Sequence, residues 1–325
     1  MSKPDYGAGT LCNLGIYLEH FKGMKMEKNM KYALMAGLAL SALAACGEQA
    51  APTASSTAGA AEEATATAET VSPIDLALNG AWRSDANKAR DGARNPAATL
   101  AFFGVDADET VVEISPGGGW YTEVLAPYLN AGGGTYIAAT RGNAERDAAF
   151  AEKFSDADVF GTINIGVLGG EGIEAGTVDT VLTFRNIHNW MGGGTEAEVF
   201  ANAYAALKPG GVFGVIEHRL PSSAEQDPQG GTGYVHQDYA IALGEAAGFE
   251  LAGTSEINAN PADTADHPFG VWTLPPASYG TRDGVELPEG FDNAKYVAIG
   301  ESDRFTLKFV KPTTGAAIDH GADGS

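Results

Sequence analysis

The sequence predicts an α/β fold, a doubly wound sheet of seven strands that is mostly parallel with an antiparallel last strand. Three observations predict it. Short β-branched runs alternate with amphipathic helical stretches from residue 81 onward. The first such run stops at a glycine cluster that opens a helix, Ser115-Pro116-Gly117-Gly118-Gly119. Two more strand patterns follow the last long helix, which suggests that the sheet finishes with an antiparallel edge.

Taken in order, residues 81–103 read as helical, with Ala89, Ala97, Leu100 and Phe103 as apolar positions among charged ones. Thr110–Ile114 is a short strand, and the helix Tyr121–Leu129 after the glycine loop is ended by Asn130 and further glycines. Thr135–Ala139 is the second strand, Ala144–Phe154 the next helix, and Val159–Ile165 a weaker strand. Val178–Phe184 is a strong strand and Glu196–Leu207 a helix. The turn Lys208-Pro209-Gly210-Gly211 leads into the strand Val212–Glu217. Val235–Ala247 is the last long helix, terminated by Gly248 in the left-handed conformation that glycine adopts without penalty. Strands at Phe249–Ile257 and Arg304–Val310 complete a domain spanning residues 75–312. Between them, residues 258–294 are rich in Pro, Asp and Asn, and an irregular stretch of that length is a candidate lid.

The chain before the domain reads as an address and a spacer. Lys22, Lys25, Lys28 and Lys31 precede an apolar run, Ala33–Ala45, that is too short to span a bilayer as a helix. Residues 1–46 therefore read as a secretory signal that closes on Leu43-Ala44-Ala45-Cys46-Gly47, which resembles the bacterial lipoprotein box. The resemblance implies that Cys46 carries lipid and that a periplasm-facing envelope lipoprotein results. Such a signal starts near its own N-terminus, so Met24, Met26 or Met30 is the expected start and residues 1–23 an extension. Residues 47–74 are mostly Ala, Thr, Ser, Glu and Gly and read as a disordered tether, and residues 313–325 as a disordered tail.

Composition narrows the partners. The formal charge is −22, with 42 acidic against 20 basic residues, which argues against nucleic acid because a phosphate footprint needs clustered cations. The only two cysteines, Cys12 and Cys46, precede the domain, which excludes a disulfide framework and a thiolate metal site. His188, His218, His236 and His267 are scattered without ligand spacing, so no metal is expected.

A glycine loop between a strand and a helix presents backbone N–H groups at the carboxyl edge of the sheet, where open α/β sheets bind ligands. The dinucleotide pattern needs G-x-G-x-x-G and an acidic residue at the end of the second strand; here the spacing differs and that strand ends in Ala138-Ala139-Thr140. Val111-Val-Glu113-Ile-Ser-Pro-Gly117-Gly-Gly119 instead resembles the first motif of class I S-adenosylmethionine-dependent methyltransferases. Residues Val178–Trp190, Leu207-Lys-Pro-Gly-Gly211 and Glu245-Ala-Ala-Gly-Phe249 resemble later motifs of that family, in its order and spacing, over residues 85–311. A group of exported chains predicted to be methyltransferases resembles this one further, in Ile257-Asn-Ala-Asn-Pro261, His267-Pro268 and Glu301-Ser-Asp-Arg-Phe-Thr-Leu-Lys308. The resemblance implies a Rossmann-like sheet and S-adenosyl-L-methionine as cofactor, held by Glu113, Ser115, Pro116, Gly117, Gly118, Gly119, Ala139, Arg185 and Asn186. Ser115 stands where the family has a glycine, and no acidic residue ends the second strand to hold the ribose; Glu145 or Asp147 on the next helix is a substitute.

Methyl transfer asks the protein for alignment, and for a base when the acceptor is protonated. His188 is the preferred general base, since histidine titrates near neutral pH, against a role in bonding a loop backbone. Glu217 and His218 end the fifth strand as further catalytic candidates, the alternative being a salt bridge with Arg219. Trp190, Tyr234, His236 and Trp272 are candidates for substrate contact, and Trp120, Trp190 and Trp272 for lining one apolar acceptor pocket, although tryptophans more often fill cores. Arg90 and Arg94 could meet a cofactor carboxylate, but the pattern favours a solvated helix face. The expected function is methyl transfer to a small molecule or envelope component. Because this cofactor is made in the cytoplasm, the exported address keeps a second reading beside it: a non-catalytic lipoprotein that binds a ligand or protein with the same fold.

Overall fold

The computed structural model describes residues 72–313. The signal segment, Cys12, Cys46, most of the tether and the tail lie outside the described residues.

Eight strands are described: β1 (Thr110–Ile114), β2 (Thr135–Thr140), β3 (Asn164–Val167), β4 (Val178–Phe184), β5 (Leu207–His218), β6 (Glu250–Ser255), β7 (Pro268–Val271) and β8 (Arg304–Val310). Seven of them form one sheet in the order β3-β2-β1-β4-β5-β8-β6. The pairs from β3 through β5 are parallel, and β8 is antiparallel to both of its neighbours. The expected antiparallel strand is therefore not the edge. It inserts between β5 and β6 because Phe305, Leu307 and Phe309 are fully buried, whereas β6 is largely exposed and suits an edge.

Alternation along the strands divides the core in two. Val111, Ala138, Leu182 and Ile216 face one layer, packed against the helices Pro96–Phe103 and Thr122–Gly132 through Phe103, Val124, Leu125 and Leu129. Val112, Ile137, Val181 and Val215 face the other, against the helices Glu196–Ala206 and Gln237–Ala246. Strand order reverses between β1 and β4, so the helices after these two strands diverge and leave a crevice at the carboxyl tips.

Three local expectations change. The single helix expected over residues 81–103 is three, Asp85–Lys88, Asp91–Arg94 and Pro96–Phe103. Pro96 disfavours helical backbone at the residue before it, and Asn95 takes up the break in the left-handed region at φ 42°. Val159 and Phe160 belong to a helical turn started at Asp156 rather than to a strand, and β3 begins only at Asn164. The segment 258–294 is less irregular than its composition indicates: it contains β7, a 3-10 turn at Tyr279–Thr281 and the start of a helix at Asn293–Ile299.

Candidate active site at the tips of β1, β4 and β5

Two non-glycine residues in the left-handed region mark the crevice. Ser115, at φ 51°, leaves β1, and Arg185, at φ 65°, leaves β4. Such backbone persists only where its surroundings hold it. The Ser115 N–H donates to the Ala139 carbonyl at 2.8 Å and the Arg185 N–H to the Ile216 carbonyl at 2.7 Å. Asn186 Nδ2 ties the two tips together, donating to the Ile114 carbonyl and to Thr183 Oγ1, each at 3.1 Å. In the glycine loop, a Cβ added at Gly117 or Gly118 would meet nothing within 4 Å, whereas one at Gly119 would lie 2.3 Å from Phe154. Gly119 thus serves packing, and Gly117 and Gly118 face open space.

Three cavities meet at these tips. The first, of about 340 Å³, lies between the glycine loop and the N-terminal helices and includes Arg90, Arg94, Glu113, Pro116, Gly118 and Asn186. Across Ser115, which lines both, a second of about 390 Å³ includes Ala139, Thr140, Asn189, Trp190, Thr195 and Glu198. The third, about 210 Å³, lies under residues 271–277 and includes His188, His218, Trp272, Leu274 and Ser302. Arg185 and Pro276 wall both it and the first.

Charge around the first cavity is predominantly positive. Glu301 pairs with Arg90 at 2.7 Å, Arg94 at 3.0 Å and Arg304 at 3.4 Å, one carboxylate for three guanidiniums. Arg94 is only 2% exposed, so the solvated face expected for it is wrong; its guanidinium lies over the Trp120 ring, 4.6 Å from the centroid. Its Nη2 is buried with no hydrogen-bond partner. Burial, and then Arg185, pull the Arg94 pKa down. Glu113 behaves oppositely: burial pushes it up to about 7, although Tyr136 and Thr122 both donate to its Oε2, at 2.6 and 3.0 Å.

The third cavity has a polar wall made by adjoining strands. His188 Nδ1 lies 3.1 Å from Glu217 Oε1, and the His188 and His218 backbone N–H groups also donate to that carboxylate, which is fully buried. A carboxylate can only accept, so the His188 ring donates from Nδ1, and Nε2 is the nitrogen left for another partner. His218 Nδ1 is 2.5 Å from Ser302 Oγ. Burial first, then Arg185, hold the His218 pKa well below the ordinary histidine value. One ligand-capable atom of each of His188, Glu217 and His218 lies within 4.8 Å of the others, a proximity that linear spacing does not reveal. The field of Arg185 and Arg304 nevertheless favours a neutral imidazole over a cation there.

The remaining sequence candidates separate. Trp272 lines the third cavity, its ring centroid 6.0 Å from that of His188. Trp190 lines the second cavity and packs on Phe200, and Trp120 lines the first, so the single tryptophan pocket is three different walls. Tyr234 is fully buried and donates to Asp263, which also lies 2.8 Å from His267 Nε2; it lines none of the three cavities. His236 belongs to a separate surface cavity with Arg219, Ser222 and Asp238. Arg219 pairs with Glu256 and Asp303 rather than with Glu217. Neither Glu145 nor Asp147 reaches the second cavity; Glu198 lines it instead. Glu198 and Glu301 carried no sequence signal of this role, since each reaches the crevice from an element remote in the chain.

No family model matches the chain, and no curated protein matches it. Among solved structures, an S-adenosylmethionine-dependent methyltransferase from Aquifex aeolicus is similar over 69% of this chain and 93% of its own, with 16% identity and a TM-score of 0.44. The [4+2]-cyclase SpnF covers 68% of this chain and 81% of its own, with 14% identity and a TM-score of 0.48. A geranyl diphosphate C-methyltransferase from Streptomyces coelicolor, solved with Mg2+, geranyl diphosphate and S-adenosyl-L-homocysteine, covers 74% and 90%, with 14% identity and a TM-score of 0.44. The fold class rests on the sheet order itself.

Proposed function

We propose that the protein is an S-adenosylmethionine-dependent methyltransferase for a small acceptor held under Trp272. The observation that carries this reading is that the first cavity adjoins the other two, through Ser115 on one side and through Arg185 and Pro276 on the other, so that the open glycine loop and His188 line neighbouring cavities. The residues present suit the cofactor. Gly117 and Gly118 let a ligand approach the backbone, and Arg94, which lines the same cavity and has an Nη2 without a hydrogen-bond partner, suits its amino-acid carboxylate. On the far side of Ser115, Glu198 and Asn189 supply the polar groups for ribose hydroxyls that the end of β2 lacks.

When bound, the cofactor supplies an electrophilic methyl group on a sulfonium. The chain's residues do the rest. His188 Nε2, on the wall of the third cavity, would take the proton from the acceptor's heteroatom as that atom receives the methyl group. Glu217, accepting from Nδ1–H, orients the ring and stabilises the imidazolium formed. Trp272 and Leu274 exclude water from the third cavity. Residues 271–277 of the segment 258–294 supply that wall.

The test is release of S-adenosylhomocysteine by the full chain across a panel of small hydroxyl, thiol and amine acceptors. Acceptor-dependent release that falls by about 10²–10⁴-fold in His188→Gln supports the reading. Tight cofactor binding with no release for any acceptor favours the ligand-binding alternative. The envelope location rests on residues 22–46 of the sequence; incorporation of labelled palmitate that is lost in Cys46→Ala tests it.

A further inference from the structure

The crevice holds more cations than its own carboxylates can balance. Arg90, Arg94 and Arg304 share Glu301, and Glu217 is taken up by His188 and two backbone N–H groups. Arg185 is left over: among the described residues its guanidinium makes no hydrogen bond and no ion pair, although it stands between two cavities. Arg185 is half-buried, and it lines open cavity space on two sides instead of pairing with a carboxylate. The backbone contributes to its placement, since Arg185 is held in the left-handed region by its bond to Ile216.

We infer that Arg185 is the receptor for an anionic group, a carboxylate or phosphate, carried by the acceptor in the cavity under Trp272. This rests on the methyltransferase reading for the word acceptor, and charge balance sharpens it. S-adenosylmethionine is zwitterionic at its amino-acid end and cationic at sulfur, so its entry adds one positive charge to an already cationic crevice. A neutral acceptor would leave that excess uncompensated, whereas an anionic one offsets it and sits where a planar guanidinium can bond two oxygens. The cavity limits its size: 210 Å³ falls below the roughly 300–1,000 Å³ of drug-sized sites. Trp272 on one wall and His188 on another suit a short molecule with a planar apolar body, a terminal anion and a protonated nucleophile.

Calorimetric titration of the full chain with benzoate and with inorganic phosphate, with and without saturating S-adenosylhomocysteine, tests the inference. The expected result is that at least one of these anions binds to the S-adenosylhomocysteine complex. Arg185→Gln then weakens that binding by about 10–100-fold, the value of a charged hydrogen-bonded contact, and by far more than it weakens S-adenosylhomocysteine binding. Arg185→Lys keeps the charge without the planar fork and should recover only part of the affinity, which also covers a failure of the glutamine variant to fold. Absence of binding by both anions to the wild type at tens of millimolar overturns the inference, as does binding unchanged in Arg185→Gln. Competition of the anions with S-adenosylhomocysteine, together with weaker S-adenosylhomocysteine binding in Arg185→Gln, assigns Arg185 to the cofactor's carboxylate and also overturns it. Arg185-dependent anion binding by a chain that does not bind S-adenosylhomocysteine would leave the anion receptor standing and remove the methyltransferase reading.

Discussion

Nδ1 of His188 lies 3.1 Å from Oε1 of Glu217, although His188 sits in the short helix Ile187–Met191 after β4, Glu217 near the end of β5, and the two are 29 positions apart. β4 and β5 are parallel neighbours, with Phe184 opposite Ile216, so the first turn beyond the tip of β4 falls beside the last residues of β5. Both side chains are buried, the carboxylate completely. Removing either partner should therefore expose the fold to an uncompensated polar group.

His188→Leu is expected to lower unfolding free energy by about 1.5–3 kcal/mol, the value of a hydrogen bond to a charged group. The double variant His188→Leu/Glu217→Leu should be more stable than the sum of the single losses predicts, since no charge then remains. Urea denaturation of the four proteins measures the coupling. Simple additivity would show that the pair is not coupled in the fold.

Glu113 gives a pH dependence of defined sign. Burial raises its folded pKa to about 7 from the ordinary glutamate value of about 4.3. The protonated form is the one the fold prefers, so its stabilising contribution is complete below the unfolded pKa and is lost as pH rises through 7. Glu113→Gln should match the wild type at acid pH and exceed it at pH 8 by on the order of 3 kcal/mol. Thermal unfolding of both proteins from pH 4 to pH 8 checks this; parallel curves would contradict it.

Glu301 has the reverse sign. Arg94, Arg304 and Arg90 favour its charged form and hold its pKa below the ordinary value despite burial. Its contribution is present above the unfolded pKa and is lost as pH falls through the folded one. Glu301→Gln should cost about 3–5 kcal/mol at neutral pH, because it leaves Arg94 and Arg304 buried without their partner. Added phosphate should restore part of the loss if these guanidiniums accept an external anion. Differential scanning fluorimetry with and without phosphate reads both effects.

The sheet was legible in the sequence because its signals are local. β-branched runs such as Val178–Phe184, and glycine turns such as Gly210-Gly211, report on a few neighbouring residues. Pro96 was equally visible, yet the break it causes at Asn95 was lost in a longer apolar periodicity. The candidate site was legible only in part. The glycine loop and the residues after β4 and β5 stand next to strand ends, where topology alone places them in the crevice. Arg94 looked like one charged residue on a helix surface, and nothing nearby announces that Glu301, 207 positions later, buries it. Glu198 and Ser302 were hidden for the same reason. The tryptophans were visible as types, but which wall each occupies depends on the packing of distant segments.

Gly118 offers the most direct test of the central claim. Its Cβ position is open, so a large side chain fills the cavity without disturbing the core. The measurement is calorimetric titration of S-adenosylmethionine and S-adenosylhomocysteine into the full chain and into Gly118→Trp. Micromolar binding to the wild type that is abolished in a Gly118→Trp protein of unchanged thermal stability is the predicted result. No binding to a folded wild type at millimolar ligand, or equal binding by the variant, would contradict the account.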